Sequence, residues 1–425
     1  MNMFMQVIQF MMDAGSSVFM PVILLILGLI FGLKFGRAIK AGVLVGIGFI
    51  GINLVLGLLG DNLAGIVDKL VELYNFKLTA IDVGWPVAGS VAWANGVLVP
   101  IVIVAVLITN IILIALKFTK TLDVDIWNYW QPLFAAGAIY MVTGNMVVAV
   151  VSACLIMAII FKIADFSQPY IESYFGIKGV SVPHVETTGW AIIGIPLNKL
   201  IDKIPGLNKI EWTTEKLQEK LGVFGDPIFI GLAMGLLLAL FARMPATEVL
   251  QASINTAAAM FLLPKMIGVL MEGLQPISEA AAEFVRSRFK DRELFIGLDS
   301  AIIVGHPSVI TVALLLIPTT LLLAVIWPLN ITLPLAELSG LCFFVVWAVV
   351  PSKGNIFRGW LIGILIMLVV LTISSDYAPI MTNLAKQVGY EIPEGASLIT
   401  CLSIGSQWIS YIFFKISSLL FGQPV

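Results

Sequence analysis

Charged residues are scarce in this chain. Only 12% of its 425 residues are Asp, Glu, Lys or Arg, whereas 59% are hydrophobic, and the mean hydropathy is +1.02. Soluble domains usually carry about 25% charged residues, and a soluble fold of this length could not bury so much apolar surface. The scarcity of charge therefore excludes a soluble protein and indicates an integral membrane protein.

Cysteine and histidine are also rare. Cys154, Cys342 and Cys401 lie far apart in or beside apolar runs, without the spacing of a disulfide framework or a metal site. The two histidines, His184 and His306, do not form a metal-binding pair with a third ligand nearby in the sequence. We therefore predict no metal and no cofactor.

Nucleotide-binding and hydrolytic motifs are missing as well. The chain has no phosphate-binding loop, no dinucleotide fingerprint and no nucleophile elbow. Basic residues form only short clusters, which excludes a nucleic-acid partner. The chain thus has no self-contained catalytic motif, and any chemistry that it takes part in needs a partner.

Long apolar runs are what the sequence does have. A helix needs about 20 apolar residues to cross a bilayer. Such runs occur at residues 18–34, 41–60, 94–116, 133–163, 226–242, 248–271, 300–328, 333–350, 356–375 and 397–420. Two segments, 62–92 and 273–299, are shorter and more polar. They predict re-entrant hairpins or helices on the membrane surface. The fold class expected is an all-α polytopic membrane protein.

Short basic clusters indicate the orientation in the membrane. The clusters at 34–40, 117–120 and 286–292 should face the cytoplasm, because positive charge is retained on that side. The first cluster follows the first span, so we expect the N-terminus outside. The first ten residues lack the basic region of a signal peptide, so this span should remain in the protein.

Weak similarity relates the two halves of the chain. Four pairs of short stretches match in the same order, with offsets of 206, 217, 211 and 210 residues, and one match sets Asp82 against Asp299. A duplication predicts a first repeat at 1–197, a cytoplasmic linker with an amphipathic helix at 198–225, and a second repeat at 226–425. With an odd number of crossings in each half the repeats are inverted, as in many secondary transporters.

Polar residues within apolar surroundings mark the candidate site, since ionisable groups in a membrane are costly and usually line a substrate or ion path. Asp82 precedes Gly84, Trp85 and Pro86. Gly and Pro interrupt helical hydrogen bonding and so leave backbone groups available to a ligand, next to the flat indole ring of Trp85. A polyol would suit such a place, because each hydroxyl needs its own polar partner. Alternatively, Trp85 is an anchor at the membrane interface.

The stretch "LDVDIWNYWQP" at 122–132 is a second concentration of polar groups. Trp127, Asn128 and Gln131 are candidates for substrate binding, and the two amides could instead hydrogen-bond between helices. Asp123 follows a basic cluster, so it is either a ligand or a helix cap at the surface. Asp125 and Asn128 would share a helix face.

Two further stretches contain the histidines. "SVPHVETTGW" at 181–190 contains His184 and Glu186, either of which could act as a general base, although a loop histidine without a role is the alternative. "LFIGLDSAIIVGHPSVI" at 294–310 contains Asp299, a candidate ligand or N-cap, and His306 between Gly305 and Pro307, which favours a structural helix break.

Together these motifs resemble a known family. "AIDVGWP", "VDIWNYW", "VPH" at 182–184, "FGDP" at 224–227 and "FIGLDSAIIVGH" resemble the galactitol-type enzyme IIC of the bacterial phosphoenolpyruvate-dependent phosphotransferase system (PTS) over nearly the whole chain. More distantly the chain resembles the ascorbate-type permeases. Val185 and Glu186 depart from the galactitol-type pattern after the loop histidine, which leaves the particular polyol open.

The resemblance implies an elevator-type permease. In this family a core domain with two inverted repeats and two hairpins moves past a scaffold domain that dimerises. A polyol such as galactitol would cross the bacterial inner membrane and be phosphorylated by a phosphocysteine on a separate IIB protein, which IIA charges. By motif the resemblance assigns Asp82, Trp85, Trp127, Asn128, Gln131, His184 and Asp299 to the substrate. An ion-coupled transporter without phosphotransfer is the alternative.

Overall fold

Helices make up most of the structure, a computed structural model that describes residues 16–74, 78–93, 98–125, 127–288, 293–334, 336–387, 389–390, 392 and 397–422. The first half contains α1 Ser16–Ile30, α2 Phe35–Tyr74, α3 Gly84–Trp93, α4 Leu98–Ala115, α5 Trp130–Thr143, α6 Met146–Phe175, α7 Val185–Thr188 and α8 Ala191–Ile201. The remainder contains α9 Thr214–Leu221, α10 Pro227–Phe241, α11 Ala246–Arg288, α12 Ala301–Val304, α13 Pro307–Ile326, α14 Cys342–Val349, α15 Ile356–Gln387 and α16 Trp408–Phe421.

Six helices in the described part of the chain are long and apolar enough to cross a membrane: Phe35–Leu70, Leu98–Ala115, Met146–Phe175, Ala246–Ile277, Pro307–Ile326 and Ile356–Gln387. Pro227–Phe241 and Trp408–Phe421 are apolar but shorter. The protein is therefore a mostly helical, membrane-spanning protein, as the composition predicts. Several apolar runs of the sequence are interrupted because Gly, Pro and buried polar residues end helices within them.

The predicted bounds of the two mixed segments are wrong. Residues 62–74 continue α2 and residues 273–288 continue α11, so neither begins a separate hairpin or surface helix. These continuations contain Asp68, Lys69 and Glu72 among other charged residues. Lys and Glu favour helix about as well as most apolar residues do, so increasing polarity ended the apolar run without ending the helix.

The long helices α2 and α11 pack closely along each other. A Cβ atom on Gly48 would lie 2.7 Å from the Leu270 Cα atom, and one on Gly273 would lie 2.9 Å from the Val45 nitrogen. Glycine on both helices thus permits a backbone separation that no larger residue allows, as in other membrane helix pairs. The shorter α1 packs on α2, and α10 packs on α11.

Two three-stranded parallel sheets lie among the remaining helices. The strands are β1 Ala80–Asp82, β2 Thr121–Asp123, β3 Val180–Ser181, β4 Phe295–Gly297, β5 Thr332–Leu333 and β6 Leu398–Thr400. The strand order is β5-β1-β6 in one sheet, called sheet 1 below, and β2-β4-β3 in the other, called sheet 2. Each half of the chain thus inserts its first strand between the later strands of the other half.

The two sheets share one register. Ala80 pairs with Thr332 and Phe295 pairs with Thr121; likewise Asp82 pairs with Thr400 and Gly297 pairs with Ser181. By this register Gly297, not Asp299, occupies the level of Asp82. The sequence match of Asp82 with Asp299 is therefore wrong by two residues.

A Gly-Asn pair separates consecutive helices at two places, residues 144–145 and 354–355. Gly144 adopts φ 62° at the end of α5, and the Asn145 side chain accepts hydrogen bonds from the Val147 and Val148 nitrogens at the start of α6. Gly354 has φ 84°, and the Asn355 side chain accepts from the Arg358 nitrogen in α15. In both places glycine supplies the left-handed conformation and asparagine caps the next helix.

His306 has the structural role that its neighbours indicated. Its imidazole accepts a hydrogen bond from the Ser308 nitrogen at 3.2 Å and thereby caps α13, with Pro307 in the first turn. The same ring nitrogen lies 3.2 Å from the Tyr174 hydroxyl. His306 is therefore held by two contacts at a helix start.

Candidate functional site

The carboxyl ends of sheet 2 bring several of the predicted residues together. Asp123 ends β2 and Asp125 follows it, His184 lies just after β3, and Asp299 lies just after β4. Carboxyl ends of parallel strands meet at one edge of a sheet, and this edge is where α/β proteins commonly bind ligands. Residues far apart in the sequence thus converge because three short strands pair.

Asp125, His184 and Asp299 form the centre of this group, called the triad below. One ligand atom from each lies within 4.8 Å of those of the other two, and His184 Nε2 lies 4.0 Å from Asp299 Oδ2. Asp125 and His184 are buried, and Asp299 is half-buried. The other carboxylate oxygen of Asp299 accepts a 2.6 Å hydrogen bond from the Ala301 nitrogen. Asp299 therefore caps the start of α12 with one carboxylate oxygen and contributes the other to the triad.

The spacing of the triad can be compared with that around a hydroxyl group and around a metal ion. Partners arranged tetrahedrally at about 2.8 Å around a hydroxyl oxygen lie about 4.6 Å apart. Ligands of a tetrahedral zinc ion, at about 2.1 Å from the metal, lie only about 3.4 Å apart. The 4.0 Å between His184 Nε2 and Asp299 Oδ2 lies between these two values, and the three ligand atoms all lie within 4.8 Å of one another. A hydroxyl oxygen can lie among these three groups, with its single proton accepted by one of them.

Asn128 holds the histidine loop in place. Its side chain accepts a 3.0 Å hydrogen bond from the Val185 nitrogen and donates to the Pro183 carbonyl oxygen, which lies 2.5 Å away, and to Asp123 Oδ2 at 3.4 Å. Pro183 and Val185 are the residues on either side of His184. Asn128 and Asp123 are buried, so Asp123 is not the surface acid that its basic neighbours allowed.

Glu186 and His184 differ in their expected protonation. Both lie outside the six candidate spans. Burial lowers the pKa of His184, and the nearby Asp299 charge opposes this only in part. Burial raises the pKa of Glu186 well above its usual value, reinforced by the charges of Glu337 and Asp299. The imidazole is thus ready to accept a proton, whereas the carboxyl of Glu186 tends to keep one.

Asp82 lies in a second group at the carboxyl ends of sheet 1. Its carboxylate accepts hydrogen bonds from three backbone nitrogens, those of Gly84 at 3.2 Å, Glu337 at 2.8 Å and Leu402 at 3.3 Å. Glu337, buried beside it, accepts a hydrogen bond from the Trp85 nitrogen. Asp82 therefore ties together the ends of all three strands of sheet 1.

Aromatic and amide candidates occupy the space beside this second group. Trp85 is 44% exposed, and its ring meets the Trp130 ring edge to face at 6.1 Å between centroids. Gln131 is buried in the first turn of α5. The side chain of Trp127 lies outside the described part of the structure, although its backbone forms a 3-10 turn before α5.

Comparison with known proteins assigns the family. Residues 10–395 match the EIIC-GAT family, described as the PTS system sugar-specific permease component. The chain is also 32% identical over 416 residues to the "PTS system galactitol-specific EIIC component" of Escherichia coli (strain K12), which covers 98% of this chain and 92% of the relative. The chain belongs to the EIIC-GAT family. A "Putative permease IIC component" of the same strain is 35% identical over 403 residues, covering 94% of this chain and 91% of the relative.

Membership of the EIIC-GAT family identifies the general role of this permease component. It is an integral inner-membrane protein of a sugar phosphotransferase system, and it works with IIA and IIB components and a sugar substrate. The resemblance drawn from "AIDVGWP", "VDIWNYW" and "FIGLDSAIIVGH" is thereby confirmed.

Two acids of this permease component stand out only in the structure. The sequence motifs predict a helix face shared by Asp125 and Asn128 but no place for Asp125 in the site, and they predict no role for Glu337. Glu337 lies in "TLPLAEL", the stretch that matches "TLDVDIW" in the first half. A comparison of the halves could therefore have drawn attention to it, but its closeness to Asp82, 255 residues away, depends on sheet 1.

Proposed function

We propose that this permease component imports galactitol or a similar polyol and holds one of its hydroxyl groups within the triad for phosphorylation by a IIB phosphocysteine. The convergence of Asp125, His184 and Asp299 carries the proposal, because their ligand atoms lie within 4.8 Å of one another and one of them can accept the single proton of a hydroxyl placed between them. Burial supports it too, since a water-poor site strengthens such hydrogen bonds.

His184 is the proposed general base. The hydroxyl oxygen attacks the phosphorus, the O–P bond forms as the S–P bond breaks, and the sulfur leaves as a thiolate. The hydroxyl proton passes to the His184 imidazole. Within the described residues the His184 Nδ1 atom has no hydrogen-bond partner, and burial favours the neutral ring that can accept a proton. Glu186, protonated, would donate a hydrogen bond to the substrate. A positioned base contributes roughly 10²–10⁴-fold in rate.

The other predicted residues have supporting roles in this proposal. Trp85 offers an exposed apolar face for the carbon chain of the polyol, and Trp127 and Gln131 lie on the adjoining segment. Asn128 positions His184 through its bonds to Pro183 and Val185. Asp82 keeps the strand ends of sheet 1 together, next to Glu337.

Two inverted repeats and an elevator-type movement complete the proposal. The starts of α2 and α11 are 211 residues apart, and the sheets share their register. We assign residues 1–197 and 226–425 to the repeats and 198–225 to a cytoplasmic linker, with the N-terminus outside. The strand ends and the helices around them would form the moving core, and α1, α2, α10 and α11 a scaffold that dimerises.

Binding and transport measurements test this function separately. Purified protein should bind galactitol or another hexitol in preference to ascorbate, with binding followed by calorimetry. Vesicles should accumulate polyol phosphate only when phosphorylated IIB is enclosed. Accumulation of the free polyol on a proton or sodium gradient, without IIB, would instead establish an ion-coupled transporter and refute the phosphotransfer step.

A further inference from the structure

A groove with four lysines lies at the amino ends of the sheet 2 strands. Its volume is about 1090 Å³, and Lys117, Lys120, Lys162 and Lys178 line it. Lys117 and Lys120 precede β2, Lys178 precedes β3, and Phe295, which also lines the groove, begins β4. The triad follows the opposite, carboxyl ends of the same three strands. Two or three residues of strand span about 7–10 Å, so the groove lies close behind the site.

Positive charge in the groove is only partly neutralised. The lining acids are Asp165, Glu172 and Glu293. The Asp165 carboxylate accepts hydrogen bonds from the Lys120 backbone nitrogen and the Thr121 hydroxyl, and the Glu172 carboxylate accepts one from the Gln168 side chain. Among the described residues only Lys120 of the four lysines forms an ion pair, at 2.7 Å from Glu293. All four lysines are exposed, so an anionic partner can approach them.

Apolar surface accompanies these charges. Phe118 and Phe166 line the groove and are 45% and 51% exposed. The Lys162 ammonium group donates to the Phe118 carbonyl oxygen at 2.9 Å and lies over the Phe118 ring. Exposed aromatic rings between charged groups are typical of protein–protein contact surfaces.

The corresponding positions in the second half lack this chemistry. The offset of 211 residues that relates β2 to β5 sets Pro328 and Ile331 against Lys117 and Lys120. The offset of 210 residues that relates α6 to α15 sets Thr372 against Lys162. The lysines thus mark one of two similar sheets, the one whose carboxyl ends carry the triad.

We propose that this groove is the docking surface for the phosphorylated IIB protein. The inference rests on the proposed function, because a phosphoryl carrier must reach the hydroxyl bound at the triad. A phosphorylated protein brings negative charge, which the lysines complement, and a folded surface, which the exposed Phe118 and Phe166 can contact. A lipid headgroup would explain the charge but not its location behind the strands that carry the site.

Charge reversal tests the inference. The triple variant Lys117→Glu, Lys162→Glu, Lys178→Glu is compared with Lys199→Glu, Lys203→Glu, Lys209→Glu, which changes three linker lysines. Binding of phosphorylated IIB to each protein in neutral-lipid nanodiscs is measured by association kinetics at low and high salt. The groove variant should associate at least about tenfold more slowly and lose most of its salt dependence, since charges at an interface mainly govern association rate. The linker variant should resemble the parent protein.

Polyol binding without IIB separates the two proposals. If the parent protein binds hexitol and IIB while the groove variant associates with IIB as fast as the parent, the docking surface is refuted and the proposed function stands. Equal loss in the linker variant would also refute it, as would an effect seen only in anionic-lipid nanodiscs, which would assign the lysines to lipid. If the parent binds no polyol but the groove variant alone loses IIB, the proposed substrate fails and the docking surface stands.

Discussion

Individual side chains decide what the site can bind. The three groups of the triad have no obvious relation in the sequence, yet their ligand atoms lie within 4.8 Å. Residue types alone do not decide between a hydroxyl group and a metal ion as the ligand, because Asp and His serve both.

Replacing an acceptor of the triad should weaken polyol binding. Asp125→Asn and Asp299→Asn each exchange a charged acceptor for a neutral amide, and hydrogen bonds to charged groups contribute about 1.5–3 kcal/mol. We expect a tenfold to hundredfold loss of affinity, measured by calorimetry. Treatment with EDTA should leave the parent affinity unchanged. Loss of binding on chelation that zinc or calcium restores would show that the triad holds an ion.

His184 and Glu186 should respond differently to substitution and pH. Because burial lowers the pKa of His184 below its usual 6.5, the phosphotransfer rate should fall only as the pH drops through that lowered pKa and the base becomes protonated. His184→Ala should lose about 10²–10⁴-fold in rate. Glu186→Gln should retain most activity, since its carboxyl holds a proton. A large loss in Glu186→Gln with activity kept in His184→Ala would reverse the two roles.

Asn128 should affect affinity as well as stability. Asn128→Ala leaves the Pro183 carbonyl and the Val185 nitrogen without their partner, at a cost of about 1–3 kcal/mol. We expect a lower melting temperature together with weaker polyol binding, measured on one preparation. Asn145→Ala is the matched control, because it removes a helix cap remote from the triad. It should lower the melting temperature while leaving affinity intact; unchanged affinity in Asn128→Ala would make Asn128 purely structural.

Helices α2 and α11 carry the longest contact between elements. Glycine at their crossing lets the backbones approach, so the contact depends on the absence of a Cβ atom at these positions. A sequence pattern shows that such glycines exist but not which of them face a neighbour. Gly57, in the same helix as Gly48, has open space around it.

Alanine should have opposite effects at these two glycines. In Gly48→Ala the new methyl group meets the Leu270 backbone, and overpacking of this kind typically costs about 1–3 kcal/mol. In Gly57→Ala the methyl group meets nothing, and the helix gains up to about 1 kcal/mol from propensity. Thermal unfolding in detergent should therefore shift down for the first and slightly up for the second. Equal shifts would show that α2 and α11 do not pack in this way.

At the scale of the whole molecule, each half completes the sheets of the other. Among the described residues, strand β1 pairs only with β5 and β6, and β4 pairs only with β2 and β3. Neither half can therefore form a sheet alone. Asp82 and Glu337, from different halves, are joined in the same way.

Dividing the chain should separate it into dependent halves. We expect fragments 1–205 and 206–425, produced together, to co-purify and to bind polyol. Each fragment produced alone should aggregate, because its strands lack partners and their backbone groups remain unpaired within the membrane. Size-exclusion chromatography of tagged fragments measures this. A single fragment that is monodisperse and resists proteolysis by itself would contradict the interdependence.

The sequence by itself determined the class of the protein. Scarce charge and long apolar runs require a membrane protein, because water excludes such surface, and the combined motifs indicated the family that the comparison confirmed. One local feature was also predictable: Gly305, His306 and Pro307 mark a helix boundary whose cause lies within a few residues.

Tertiary structure alone decided which polar groups meet. Helices α2 and α11 continue past the apolar runs, the register displaces Asp299 from the level of Asp82, and Glu337 becomes a neighbour of Asp82 through strand pairing. Six strands of two or three residues are too short to leave a periodic pattern in the sequence. Their pairing depends on hydrogen bonds between segments more than 100 residues apart, and the triad exists only where those bonds bring the strand ends together.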